Sequence, residues 1–158
     1  VYGGRADVME AVSEARLPGP NYAWSASTGG GNPVSAAAAN ATLDILEEDG
    51  VYDLLHTRGR QLRETMAAAL ASAGVAAQVL GDGPLAQVAF TSQPVTDHRS
   101  WKKSDSARGR AVMLALLKDG VFLNPMGTKL YLSISHGRAE IDAFAETFAR
   151  ALAATSTG

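Results

Sequence analysis

Apolar residues along the chain follow two periods. Val51, Leu54, Leu55, Leu62, Met66, Leu70 and Ala73 recur three or four positions apart, so they share one helix face, and Gly74 stands where a left-handed cap closes such a helix. A preceding long helix is predicted over 33–49, started by Asn32 as cap and Pro33 in the first turn, carrying Leu43, Leu46 and the acidic pair Glu47-Glu48, and closed by Gly50. Residues 5–15 read as a short helix, stopped by Leu17-Pro18-Gly19-Pro20-Asn21 because proline removes a donor and restricts its predecessor. Downstream the period shortens. Residues 75–80 and 85–91 read as a hairpin across Gly81-Asp82-Gly83-Pro84, with Leu85, Val88 and Phe90 partly alternating with Gln87 and Thr91. A polar stretch over 92–103 leads to Ser104, the expected cap of a helix that carries Val112, Met113, Leu116 and Leu117 and ends at Gly120. Strands are expected over 121–123 and 129–135, separated by the turn Asn124-Pro125-Met126-Gly127. A last helix over 139–153 places Ile141, Phe144, Phe148 and Leu152 on one face, ahead of a frayed tail.

This order of two helices, two strands, a helix, two strands and a helix predicts an α+β fold, a small, mostly antiparallel sheet covered by helices rather than a doubly wound parallel sheet. Residues 1–30 carry no apolar period of their own and are expected to pack on something outside the chain. Val1-Tyr2 followed at once by Gly3-Gly4, with no initiator methionine, reads as a strand end entering a turn. The expectation is a chain that begins mid-protein.

Composition narrows the function. An apolar share of 46% suits one ordinary core. A net charge of −2, with acids and bases interleaved, gives no basic stripe for nucleic acid and no polybasic patch for anionic lipid, so neither partner is expected. The alanine-rich runs at 34–39 and 66–71 are too short and too weakly apolar to span a bilayer. Zero cysteines exclude disulfides, thiolate nucleophiles and cysteine-bound zinc, and the first residues hold no signal-peptide core. A cytoplasmic location is expected.

Candidate chemistry concentrates in Ser27-Thr28-Gly29-Gly30-Gly31-Asn32-Pro33. Two hydroxyls can donate to phosphate oxygens, the glycines let backbone N–H groups approach an anion, and the following helix start adds positive potential. No lysine follows, so this is not a Walker loop, and the glycine spacing is not that of a dinucleotide fingerprint. On chemistry alone, a flexible glycine turn with an Asn-Pro helix start is the plainer reading. His56, His98 and His136 lack metal-ligand spacing, and no serine sits in a Gly-x-Ser-x-Gly elbow. Asp97, Asp105 and Asp119 read as loop, helix-start and helix-end residues.

The stretch from Ser27 to Pro33, its alanine-rich helix and the ending Ile45-Leu46-Glu47-Glu48-Asp49-Gly50-Val51 together resemble the signature region of class III aminotransferases. Val1-Tyr2-Gly3-Gly4-Arg5-Ala6-Asp7-Val8-Met9 resembles the segment that follows the cofactor lysine in that family. Pro94-Val95-Thr96-Asp97, Gly120-Val121-Phe122-Leu123-Asn124-Pro125 and Leu130-Tyr131-Leu132-Ser133-Ile134-Ser135-His136 are similar to its glutamate-1-semialdehyde aminomutase-like branch.

The resemblance implies a fold type I enzyme using pyridoxal 5'-phosphate, normally a homodimer with each cofactor phosphate contacted across the interface, and small-molecule amine and keto substrates. It assigns residues 1–49 to the end of the large cofactor-binding domain and its linking helix, and 50–158 to the small C-terminal domain. Thr28 matches the threonine that binds phosphate through hydroxyl and backbone N–H, and Ser27 matches its small neighbour. The family's lysine falls before the segment matching Val1, outside this chain, and Lys102, Lys103, Lys118 and Lys129 do not match it. No catalytic residue and no metal ligand is therefore expected here. Gly137 replaces the threonine that caps the family's last helix, with Glu140 three residues on to complete a cap, and His136 reads as an ordering hydrogen-bonder beside that helix. Transamination is the leading expectation. Intramolecular amino transfer by an aminomutase, or a non-catalytic fragment for dimerisation or binding, are the alternatives.

Overall fold

The structure, a computed structural model, describes residues 3–13, 15, 22, 23, 29–124 and 129–155. The chain divides into two compact units, Val1–Ile45 and Leu46–Gly158.

In the first unit the helix expected over 5–15 is two short pieces, α1 (Ala6–Met9) and a 3-10 turn at Glu10–Val12. Neither piece has a side-chain cap or a buried residue, and the backbone turns extended at Ser13. Four residues cannot offset the cost of helix nucleation by themselves. The longer helix, α2 (Pro33–Leu46), starts where Asn32 accepts the backbone N–H groups of Val34 and Ser35 at 2.9 and 3.2 Å. It stops before residue 49 because 47–50 form turns, with Gly50 left-handed at φ 82° as the residue that starts the next helix. None of its residues is buried, and Val34 is 76% exposed.

The second unit holds α3 (Val51–Ser72), β1 (Gln78–Leu80), β2 (Leu85–Ala89), α4 (His98–Trp101), α5 (Ser106–Lys118), β3 (Lys129–Tyr131) and α6 (Arg138–Ala154). The strands form one antiparallel sheet in the order β1-β2-β3, with Val79 opposite Val88 and Ala86 opposite Leu130. The α+β expectation therefore holds. Leu55, Leu62, Met66 and Leu70 bury one stripe of α3, and they join Ala86, Val88 and Leu130 of the sheet, Val112 and Leu116 of α5, and Ile141, Phe148 and Leu152 of α6 in the core. Gly74, at φ 64°, ends α3 with Val75 donating back to Leu70. The hairpin turn is seated on α3 at Gly59, where Arg63 Nη1 donates to the carbonyls of Gly83 and Leu85 at 2.7 and 2.8 Å.

Four further local expectations are corrected. Part of the polar stretch is helical, because Asp97 caps α4 by accepting Ser100 N–H while Ser100 Oγ accepts Asp97 N–H. Asp105, not Ser104, caps α5. Residues 121–123 are irregular rather than a strand: Val121 N–H is already committed to Leu116 O at 2.8 Å, closing α5 after Gly120 at φ 86°. The strand expected over 129–135 ends at Tyr131, since 133–136 turn on themselves. Positions 125–128 of the intervening turn lie outside the described residues. No helix among the described residues is long and apolar enough to cross a membrane.

Candidate functional site

Ser27 and Thr28 lie outside the described residues. The described remainder of their motif is a tight, exposed turn in which Asn32 N–H donates to Gly29 O at 3.2 Å. Gly31 takes φ 75°, and a Cβ built there would meet nothing within 4 Å. Asn32 consumes two of the first-turn N–H groups of α2, and Pro33 has none. The helix end thus offers its dipole but few free donors. Among the described residues, the N–H groups of Gly30 and Gly31 have no partner. At Gly31 the space beside the turn is open, so its N–H is accessible to an anion.

The lysines at 102, 103, 118 and 129 are all exposed and enter no ion pair among the described residues. His56 and His98 are exposed, and no cluster of ligating side chains suited to a metal exists among the described residues.

His136 is differently placed. Its Nδ1 accepts Ser133 N–H at 3.0 Å and lies 2.9 Å from Ser133 Oγ, which fixes the turn between β3 and α6. Glu140 completes that corner by accepting Gly137 N–H at 2.7 Å, and Arg58 of α3 donates to Ile134 O at 2.7 Å. Backbone N–H groups at the start of α6, chiefly its own and that of Gly137, hold the Glu140 carboxyl below the usual range, aided by His136 and Arg58. The same corner forms one side of a cavity of about 610 Å³ between α6, β3 and residues 119–124. Apolar residues such as Phe122, Leu132 and Phe144 line it, with Lys129, Tyr131 and His136 among its polar members. The sequence reading missed this cavity because its lining comes from α3, the end of α5, β3 and α6, and no local pattern signals a gap that only their packing creates.

A family model described as aminotransferase class-III matches residues 2–152. The chain is 38% identical over 142 residues to a glutamate-1-semialdehyde 2,1-aminomutase of Desulfosudis oleivorans, covering 89% of this chain and 32% of that protein. It is 35% identical to a protein of the same name from Thermomicrobium roseum, covering 99% and 36%. Among solved structures it resembles an omega-transaminase from Sphaerobacter thermophilus with a TM-score of 0.72 and 31% identity, covering 97% of this chain and 34% of that one. A glutamate-1-semialdehyde aminomutase from Pseudomonas aeruginosa PAO1 matches with a TM-score of 0.71 over 89% of this chain and 33% of its own, at 18% identity, a likeness of fold alone. The chain spans about a third of the length of the curated relatives it matches.

Proposed function

The chain belongs to the class III aminotransferase family, and from that premise we propose that it is the C-terminal portion of a pyridoxal-phosphate-dependent enzyme transferring an amino group between an amino donor and a carbonyl acceptor. The observation that carries this reading is the family match running over 2–152, with the glycine turn at the start of α2 inside it. The turn's chemistry fits the phosphate end of pyridoxal 5'-phosphate: it is exposed, unobstructed at Gly31, and presents the Gly30 and Gly31 N–H groups beside a positive helix end. Thr28, through hydroxyl and backbone N–H, and Ser27 beside it hold the phosphate in this proposal, across the interface of a homodimer. Their role is positional, keeping the far end of the cofactor still. When bound, the cofactor supplies a conjugated ring that takes up electrons from the bond broken at the amine-bearing carbon. In this proposal the lysine that engages it belongs to the part of the enzyme outside this chain, as do most of the groups selecting the substrate. Residues 1–49 close the large domain, and 50–158 form the small one.

A second reading is favoured by one observation: the relatives at 35–38% identity are named aminomutases. In that reading the amino group stays within one molecule. Isotopic nitrogen in the donor separates the two, since transamination delivers the label to a second keto acid and the aminomutase reaction does not.

The phosphate assignment is tested by Thr28→Ala in the full-length enzyme. Losing a hydrogen bond to a charged phosphate costs roughly tenfold or more in affinity. Cofactor absorbance should fall markedly faster on dialysis than in the wild type. Unchanged retention would sink the assignment.

A further inference from the structure

The corner between β3 and α6 is closed by a hydrogen bond that only one charge state of His136 can make. Its Nδ1 accepts the backbone N–H of Ser133 at 3.0 Å and lies 2.9 Å from Ser133 Oγ. To accept, that nitrogen must be bare, so the neutral ring carries its proton on Nε2. A protonated ring has an N–H on both nitrogens and nothing left to accept with. Ser133 Oγ, which already accepts Ser135 N–H at 3.3 Å, could take the new Nδ1 proton. The Ser133 N–H would then face a donor where its acceptor had been. Ser133 is exposed, so water can take over the freed N–H once the turn opens, and the open form then satisfies every donor.

We propose that the corner at 133–136 is a pH-sensitive latch, closed around neutral His136 and released when the ring is protonated and swings toward Glu140. The charges around the ring give the release its direction. On α6 the Glu140 carboxylate attracts the imidazolium, while Arg58 of α3, bonded to Ile134 O at 2.7 Å, and Lys129 of β3, which lines the same cavity, are cations. Tyr131, a phenol on that cavity, adds no charge, and the acids Asp119 and Asp142 are paired with Arg150 and Arg138. The bonds from Arg58 to Ile134 O and from Gly137 N–H to Glu140 do not involve the ring, so they confine the release to 133–136. The corner bounds one side of the cavity, and its release loosens that wall. The latch goes beyond the amino-transfer reading and is read without cofactor or turnover.

The test is NMR of the full, isotope-labelled chain between about pH 8 and pH 5, the range across which an ordinary imidazole titrates. At the alkaline end the ring nitrogens should report the Nε2–H tautomer, and a scalar coupling should join Ser133 N to His136 Nδ1 across their hydrogen bond. At the acid end that coupling should be gone, and the protection of the Ser133 amide against exchange, corrected for its intrinsic pH dependence, should be lower by about tenfold. His136→Asn offers an amide oxygen to the same N–H and cannot titrate, so its Ser133 protection should change less than about twofold over the range. The wild-type coupling decides the matter even where the variant fails to fold. An Nδ1–H tautomer at the alkaline end, a ring still neutral at the acid end, a coupling that survives protonation, or an equal loss of protection in His136→Asn would each overturn the proposal.

Discussion

Gly59 shows how far one residue can decide the packing of a helix on a turn. A Cβ at this position would stand 1.8 Å from Gly83 O and 2.7 Å from its carbonyl carbon, backbone atoms that Arg63 also clamps. Gly59→Ala should therefore cost about 3 kcal/mol, at the upper end of overpacking, read by urea denaturation of the chain. Gly120 makes the contrast: its Cβ would meet nothing within 4 Å, and only its φ of 86° opposes a side chain. Gly120→Ala should cost about 1–2 kcal/mol in the same assay. If both cost the same, steric contact at Gly59 is not the controlling term.

At Glu140 the sign of a pH effect can be worked out. Its folded pKa is lowered by the helix-start N–H groups, so its contribution is fully present above the unfolded value near 4.3 and is lost as pH falls through the lower folded value. Glu140→Gln retains an acceptor for Gly137 N–H but removes the charge. The melting temperature of this variant should fall less steeply than that of the wild type between about pH 5 and pH 3, and parallel acid limbs would contradict the charge argument.

Among elements, α2 and α3 contrast most. Both start with defined backbone geometry, yet α3 buries five residues and α2 none. A 14-residue helix without packing is marginal in water. Hydrogen exchange of the 158-residue chain should therefore be fast across Pro33–Leu46 and slow at the buried turns of Val51–Ser72. Equal protection would mean that α2 is covered in the isolated chain. Within α3, Leu62 is 1% exposed, and Leu62→Ala should cost about 2–5 kcal/mol, through lost transfer energy and the void left among α3, α6 and the sheet.

For the molecule, the family membership and the exposed state of every lysine in the chain lead to one expectation. The 158 residues mixed with pyridoxal phosphate and common amino donors should show no amino transfer, because no lysine here matches the family's cofactor lysine and an activated amine needs a desolvated or charge-tuned setting. Turnover accompanied by a chromophore mapped by peptide mass to Lys102, Lys103, Lys118 or Lys129 would overturn both the alignment and the role given to the chain.

The sequence by itself determined the helices with strong period and strong punctuation. Asn32-Pro33 fixed the start of α2, Gly74 and Gly120 the ends of α3 and α5, and the Leu62, Met66, Leu70 stripe the buried face. The hairpin was equally legible, since Gly81 and Gly83 both take positive φ. The phosphate role proposed for the glycine turn could be read from the sequence because the groups it invokes are local, consecutive residues beside one helix end. Only tertiary structure decided the rest. Whether 121–123 pair as a strand depended on Val121 N–H being taken by α5, and whether 133–136 continued β3 depended on His136 reaching back to Ser133. The close approach at Gly59 and the cavity lined by Lys129, His136 and Phe144 arise where segments distant in sequence meet. A pattern along the chain records which side chains avoid water, but contact between remote segments, and the space left between them, is set by how the elements pack.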